Sequence, residues 1–278
     1  MPFGEPTTGA MMDEFTIAIE HGHWLANQPG TGDCVESAGF GEFCFPSYIN
    51  FNGDTSEIDC GSDAAIDDLP TGANGFTAEA WIFANGFGEL NLGRIFDKRD
   101  PDPPTQGWAF FIDSVNGLRC IMMGAVANAD SSSGLDEFGT AEFFAWHHVA
   151  LTYDDGGTRQ VRLWIDGTEV ATYNLQQAMN GAYQTDAAEE LRIGNNDDGT
   201  GGWNGRIGWV RLTDNIRYTV AFTPPPRCVL PDIDANTVAQ WIYEGSGTAI
   251  DNQEGTAALD GTAANITWAC DCERLMAM

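Results

Sequence analysis

The amino-acid sequence predicts an all-β protein, an antiparallel β-sandwich preceded by an irregular N-terminal extension. Short alternating runs of apolar and polar residues recur, Gly, Asn and Asp separate them, and helix signals are almost absent. The strongest local signal is Asp166-Gly167 between Val161–Ile165 and Thr168–Thr172. Asp and Gly accept the positive φ angles of a two-residue turn, so this stretch predicts a β-hairpin.

The predicted strands divide the chain into three segments. Residues 1–46 form an irregular extension, residues 47–227 form the sandwich, and residues 228–278 form a C-terminal segment behind the stiff spacer Pro224–Pro226. A short helical turn is expected at Gln176–Met179. The predicted strands are Tyr48–Phe51, Glu57–Cys60, Phe76–Phe83, Arg94–Phe96, Trp108–Asp113, Leu118–Met123, Trp146–Tyr153, the hairpin Val161–Tyr173, Leu191–Ile193 and Arg206–Leu212.

The charge of the chain excludes several classes of partner. It has 41 acidic residues against 12 basic ones, a net charge of −29, and Lys98 as its single lysine. Nucleic acids and anionic membranes need clustered cations, so neither is an expected partner, whereas divalent cations are attracted. No apolar run is long enough to cross a membrane. Met1–Ala10 lacks the basic and apolar regions of a signal peptide.

Seven cysteines indicate an oxidising environment, and we expect an extracellular or virion-surface location. None of them forms the paired C-x-x-C spacing of a zinc site, so disulfides are the expected use. The candidate bridges are Cys34 with Cys44, and Cys228 with either Cys270 or Cys272. Because the number is odd, at least one thiol is free or bonds to another chain.

The order of several motifs resembles the laminin-G-like, concanavalin A-like jelly-roll family. The resemblance extends from about Ser47 to Pro226 and implies a jelly-roll β-sandwich. One departure concerns Gly208 and Trp209, which stand where the family usually has an acidic pair. The motifs are Tyr48–Asp54 (YINFNGD), Phe76–Ile82 (FTAEAWI), Trp146–Ala150 (WHHVA), Leu163–Gly167 (LWIDG), Leu191–Gly194 (LRIG) and Trp203–Ile207 (WNGRI).

Two further stretches refine the resemblance. Ile216–Pro225 resembles the closing tail of such domains in phage and other virion-associated proteins. Asp234–Thr248, followed by Leu259–Gly261 and Trp268, resembles the usual opening of the family but stands at the end of this chain. Three interpretations stay open: a permuted domain that closes its own sandwich, a strand exchanged between subunits, or a separate small lobe.

The sequence does not favour an enzyme. A glycoside hydrolase of this fold needs carboxylates on one strand face, spaced as Glu-x-Asp-x-Glu, and no such triplet is present. Glu79 stands alone on its strand. His147 and His148 are interpreted as structural residues that pack beside tryptophan.

The candidate cofactor is Ca²⁺, which prefers several oxygen ligands from one loop. The stretch Asn195–Gly199 offers Asn195, Asp197 and Asp198 between two predicted strands, and Asp154–Gly156 is a poorer cluster. Such sequences are also ordinary turns, because Asn, Asp and Gly tolerate left-handed backbone.

Carbohydrate binding requires exposed aromatic faces, and the candidates are Trp164, Trp203 and Tyr183. Trp164 alternates with its apolar neighbours and should face away from them, although a second layer could cover it. Trp81 and Trp108 are expected in the core. Asn265 begins an N-x-T pattern and is the candidate glycosylation site.

Two functions are therefore expected, with a hydrolase as an unlikely third. The first is a non-enzymatic structural or decorating protein of a virion or extracellular filament that self-assembles and contacts host or surface glycans. The alternative is a carbohydrate-binding adhesion module that depends on Ca²⁺. The two functions are compatible, because a structural protein of a virion can also bind a glycan.

Overall fold

The computed structural model describes residues 47–101, 103–227, 230–241 and 247–270, and within them the chain is almost entirely β-strand. Four short 3-10 turns interrupt the strands, at Leu69–Thr71, Glu89–Asn91, Thr140–Glu142 and Ala257–Leu259. The strands are β1 Ser47–Asn52, β2 Glu57–Asp59, β3 Phe76–Ala84, β4 Arg94–Arg99, β5 Gly107–Asp113, β6 Gly117–Met122, β7 Ala129–Ser132, β8 Trp146–Tyr153, β9 Arg162–Ile165, β10 Thr168–Glu169, β11 Leu175–Gln177, β12 Arg192–Ile193, β13 Asn204–Thr213, β14 Thr237–Trp241, β15 Ala249–Ile250, β16 Gly261–Ala264 and β17 Thr267–Cys270.

The strands form two antiparallel sheets, which confirms the predicted β-sandwich. The first sheet has the order β10-β9-β8-β3-β13-β1-β17, and β14 pairs with the far half of β13. The second sheet has the order β11-β7-β6-β5-β4-β12-β2-β16-β15. No helix among the described residues is long and apolar enough to cross a lipid bilayer.

The core lies between the sheets because alternate residues of each strand point inward. On β3, Ala78, Ala80 and Ile82 are buried in the core, and the residues between them face the opposite side of the sheet. The hairpin predicted at Asp166-Gly167 is confirmed, since both residues have positive φ and β9 pairs with β10.

One local prediction is wrong. Gln176 lies in strand β11, which pairs with β7, and not in a helical turn. The apolar and polar residues of this short stretch fit both periodicities, so pairing with a neighbouring strand decides its conformation.

The C-terminal segment contributes strands to both sheets of its own chain. β14 pairs with β13 and β17 with β1 in the first sheet, while β16 pairs with β2 in the second. Trp241, Ile250 and Leu259 from this segment are buried in the common core. The segment is therefore part of the sandwich in this structure; exchange between subunits stays a prediction about assembly.

A chain truncated after Arg227 should fail to fold. It loses the three large core side chains of the C-terminal segment, each of which contributes about 1.5–3 kcal/mol on burial, against a total stability of about 5–15 kcal/mol. Circular dichroism should show an unfolded chain, while light scattering should show a monomeric full-length protein. A chain ending at Cys270 retains every described strand and is the control. A folded truncated monomer, with a full-length protein that assembles, would contradict intramolecular closure.

Candidate functional site

A row of side chains crosses the outer face of the first sheet, the face that points away from the core. Strand register places Thr267, Asn50, Arg206, Phe83 and Trp146 side by side on five adjacent strands, from β17 to β8. We call these five residues the outer row. Strands lie about 4.8 Å apart, so the row spans about 19 Å. Its members are partly or fully exposed.

Arg206 lies at the centre of the outer row and is held between two aromatic rings. Its guanidinium carbon is 4.8 Å from the ring centroid of Tyr48 and 4.6 Å from that of Phe83. Within the described part of the chain, no carboxylate forms an ion pair with it, whereas other arginines such as Arg211 bind one. The two rings hold the guanidinium on the outer face of the sheet, and its N–H groups can donate to an external acceptor.

Trp146 ends the outer row on β8. Its ring meets Tyr48 and Phe83 edge to face, with centroid distances of 5.4 and 5.6 Å, and Arg227 lies 4.5 Å from its centroid. Two residues earlier, Phe144 is 69% exposed and has a φ of +63°. The left-handed backbone conformation costs a bulky residue on the order of 1–3 kcal/mol of conformational energy. Residues with such strain cluster at functional sites.

The rest of this face is covered by residues 214–227, which we call the strap. Tyr218 and Phe222 of the strap stack on each other at 3.5 Å and pack against Trp164. The indole Nε1 of Trp81 donates to the carbonyl oxygen of Pro225 at 3.0 Å. The strap therefore ends beside Trp146 and sets the boundary of the outer row.

A buried carboxylate anchors the strap. Glu79 on β3 accepts hydrogen bonds from Arg211 Nε at 2.7 Å and from the Tyr218 hydroxyl at 2.7 Å, and His148 Nε2 lies 3.0 Å from its Oε2. Burial alone would raise the pKa of Glu79, but these hydrogen bonds and the charge of Arg211 outweigh it and lower the pKa to about 2. Glu79 is therefore ionised, and its role in this structure is to hold Tyr218.

The aromatic residues that the sequence predicted as ligand contacts lie elsewhere. Trp164 points away from the core as expected, but the strap buries it completely, and its Nε1 donates to Thr152 Oγ1 at 3.2 Å. Trp203 is fully buried in the core. Neither ring has an exposed face for stacking on a sugar, so the expectation that they are exposed is corrected.

Tyr183 is partly buried and belongs to a polar cluster around Lys98. Its hydroxyl donates to Asp186 Oδ2 at 2.7 Å. The Lys98 ammonium donates to Asp67 Oδ1 at 3.0 Å and to the carbonyl oxygens of Asp186 and Glu189 at 2.6 and 2.9 Å. These contacts tie two loops to β4, which gives Tyr183 a structural role here.

Two of the three predicted calcium ligands, Asn195 and Asp197, form hydrogen bonds within the protein. Asn195 is buried, its Nδ2 donates to the Asp54 carbonyl at 2.9 Å, and its Oδ1 accepts from the Gly201 amide at 3.0 Å. Asp197 accepts from Arg192 at 2.9 Å, and Asp198 follows it in the same loop. No group of three or more His, Cys, Asp or Glu side chains that could hold a metal occurs among the described residues. A Ca²⁺ site at Asn195, Asp197 and Asp198 stays a prediction.

The remaining sequence candidates are only partly described. Cys34, Cys44, Cys228 and Cys272 lie outside the described residues, and Cys270 is described by its backbone alone, so the disulfides stay predictions. Cys60 and Cys120 are free thiols in the core, where burial raises their pKa values. Asn265 is exposed and its Nδ2 donates to the Thr55 carbonyl at 3.1 Å; its glycosylation stays a prediction.

Sequence reasoning did not select Phe83, Trp146 or Arg206 as site residues. Alternation on β3 and β8 does indicate that Phe83 lies on the face opposite Ile82. It does not indicate which outward aromatic residues the strap covers, because that depends on contacts between segments distant in sequence.

Replacing Glu79 with Gln should lower the free energy of unfolding by about 3–5 kcal/mol, because Arg211 would remain buried without its counter-ion. Since the folded pKa of Glu79 lies below its ordinary value of 4.5, the ionised form stabilises the fold above that pH. Wild-type stability should fall as the pH decreases from 4.5 towards 2, and the variant should lose less over this interval. Urea denaturation at several pH values measures both effects.

The exposed Glu254 provides the matched control, since Glu254→Gln should leave stability and its pH dependence nearly unchanged. Equal acid sensitivity of wild type and Glu79→Gln would contradict the assigned role of the carboxylate.

The comparisons with known proteins give one family match. A laminin G model described as the concanavalin A-like lectin/glucanases superfamily matches residues 59–217, more than half of the chain. Comparison with curated protein sequences finds no match.

Several solved structures are similar to this chain. A protein from Bacteroides ovatus that is thought to bind carbohydrate has 18% identity and a TM-score of 0.54, with 82% of this chain and 61% of that one covered. This chain thus spans about three-fifths of that protein, and at this identity the similarity shows the fold alone. Domains LG4-5 of the mouse laminin α1 chain have 12% identity and a TM-score of 0.44, covering 79% of this chain and 49% of theirs. The CBM40 of a Ruminococcus gnavus sialidase has 12% identity and a TM-score of 0.39, covering 61% of this chain and 92% of that one.

Proposed function

Because this chain belongs to the concanavalin A-like lectin/glucanases superfamily, we propose that it is a non-catalytic carbohydrate-binding module. Membership confirms the family resemblance stated from the sequence motifs. In this proposal an oligosaccharide lies along the outer row, across the strands of the first sheet. The location expected for such a protein is extracellular.

The observation that carries the proposal is Arg206, whose guanidinium lies over the rings of Tyr48 and Phe83 beside the partly exposed ring of Trp146. Sugar rings have an apolar face that packs on aromatic side chains, and hydroxyl groups that need hydrogen-bond partners. Phe83 and Trp146 offer the apolar surface. Arg206 and Asn50 offer the polar groups next to it on the same row.

The composition of the outer row supports binding over hydrolysis. Hydrolysis of a glycosidic bond requires two carboxyl groups on opposite sides of it. The five residues of the outer row include no Asp or Glu. The nearby Glu79 is fully buried beneath the strap. We therefore propose that glycans are retained without cleavage.

The interpretation as a virion or filament component remains a prediction from the sequence. The similar proteins give it no support, and self-assembly is likewise untested. A carbohydrate-binding module is compatible with a virion or filament component and with self-assembly, since either kind of protein can contain a glycan-binding domain.

A glycan array followed by calorimetry on the best ligand tests the proposal. Arg206→Met should weaken binding by about 10- to 100-fold, because a hydrogen bond to a charged group contributes about 1.5–3 kcal/mol. Trp146→Ala should weaken it about tenfold through lost stacking. Arg162→Met is the matched control: Arg162 also lies over an aromatic ring, the indole of Trp164, but it is paired with Glu169.

An array without signal, in the presence and absence of Ca²⁺, would exclude a carbohydrate-binding module. Ligand binding that survives both Arg206→Met and Trp146→Ala would place the site elsewhere. Appearance of shorter glycans on incubation with the protein would contradict the non-catalytic assignment.

A further inference from the structure

The single lysine of the chain is buried in the interior of the sandwich. The side chain of Lys98 is 0% exposed and extends from β4 on the same side as the core residue Phe96, and Lys98 pairs across the sheet with the core residue Trp108. A lysine amine shielded from water is held either as an ammonium ion with close acceptors or as a neutral amine, which is a nucleophile. The chemistry open to Lys98 therefore depends on the groups around its Nζ.

A buried carboxyl group lies next to this amine. The side chain of Asp186 is 0% exposed, and its Oδ1 is 3.4 Å from Lys98 Nζ. Burial raises the pKa of Asp186, and the positive charge of Lys98 offsets this effect only in part. A larger share of the uncharged acid is therefore present than for an ordinary aspartate. The uncharged acid is the form whose carbonyl carbon an amine can attack, because the negative charge of a carboxylate repels the lone pair.

Both side-chain oxygens of Asp186 are held in place. The backbone N–H of Asp68 donates to Oδ1 at 2.7 Å, and the hydroxyl of Tyr183 donates to Oδ2 at 2.7 Å. A donor fixed at an oxygen stabilises the negative charge that develops there when the carbonyl carbon is attacked. These two contacts therefore orient the carboxyl group and favour attack on it.

A second carboxylate is placed to accept a proton from the amine. Asp67 Oδ1 lies 3.0 Å from Lys98 Nζ. The side chain of Asp67 is 21% exposed, so a proton transferred to it can pass on to solvent. The carbonyl oxygens of Asp186 and Glu189 accept from Nζ at 2.6 and 2.9 Å and hold it in position. An amine, an acid and a base thus meet at one buried point.

We propose that Lys98 and Asp186 form an intramolecular isopeptide bond. The Nζ–Cγ bond forms, and the bond from Cγ to Oδ2 of the protonated Asp186 carboxyl group breaks. Of the three protons on the Lys98 ammonium, one moves to Asp67, one leaves with the Oδ2 hydroxyl as water, and one remains on the new amide. The N–H of Asp68 stabilises the charge that develops on Oδ1. Atoms and charges balance without a further reactant.

The bond joins two positions that are 88 residues apart in the sequence. It fastens the loop before β12 covalently to β4, where the structure has hydrogen bonds and ion pairs between them. Unlike these contacts, the bond persists in denaturant, and unlike a disulfide it persists in reductant. The inference does not depend on the outer row or on its ligand.

Mass spectrometry of the reduced full-length chain under denaturing conditions tests the proposal on the wild-type protein alone. The linked chain should be lighter than its sequence by the mass of one water molecule. Trypsin does not cleave after an acylated lysine, so it should release a branched peptide in which residues 95–99 are joined to residues 163–192. Acetic anhydride added in denaturant should leave Lys98 without an acetyl group.

Three variants assign the roles. Lys98→Met removes the amine and should have its full mass. Asp67→Asn keeps an acceptor for Nζ but no base, so it should slow linkage by about 100-fold or more and leave most freshly purified chains unlinked. Asp251→Asn, the matched control, removes an exposed carboxylate outside this cluster and should link as the wild type does. Circular dichroism checks that each variant is folded.

A wild-type chain of full mass that trypsin cleaves after Lys98, and that is acetylated there, would overturn the proposal and leave a buried ion pair. A loss of water that persists in Lys98→Met would also overturn it, because an aspartate that cyclises onto its own backbone loses water without the amine. Linkage of Asp67→Asn at the wild-type level would contradict the role of Asp67 as the base.

Discussion

The buried carboxylate of Glu79 organises the outer face of the first sheet. It joins β3 to β8 through His148, to β13 through Arg211 and to the strap through Tyr218. Burial of a carboxylate costs several kcal/mol unless its partners compensate the charge. The hydrogen bond from Tyr218 to Glu79 therefore favours the register in which the strap packs here. That register decides which aromatic side chains are covered and which remain on the outer row.

The contacts of Arg206 differ from those of most other arginines among the described residues. In a chain with 41 acidic residues, a carboxylate partner is readily found, as Arg119 with Asp130 and Arg217 with Asp234 illustrate. Arg206 makes ring contacts and no ion pair among the described residues. Aromatic packing holds its guanidinium in place, which prepares it for an external acceptor.

The loop from Asn195 to Asp198 shows why local sequence is a weak guide to a site. Its amides and carboxylates have the composition of a cation-binding loop, and equally that of a turn. Asn195 accepts a hydrogen bond from the Gly201 amide and donates one to the carbonyl oxygen of Asp54. Asp197 accepts a hydrogen bond from Arg192. Of these partners only Asp54 is distant in the sequence, and its contact with Asn195 is one that the composition of the loop does not predict.

The sequence by itself determined the all-β class, the strands from Tyr48 to Leu212 except β7 and β11, the hairpin at Asp166-Gly167 and the family, because alternation and turn chemistry are local properties. It also indicated correctly that Trp164 faces away from its own core side. Only the tertiary structure decided that the strap buries Trp164, that Trp203 belongs to the core, and that Phe83, Trp146 and Arg206 share a row. Strand register and coverage by a remote segment are long-range properties, and no periodicity along the chain encodes them.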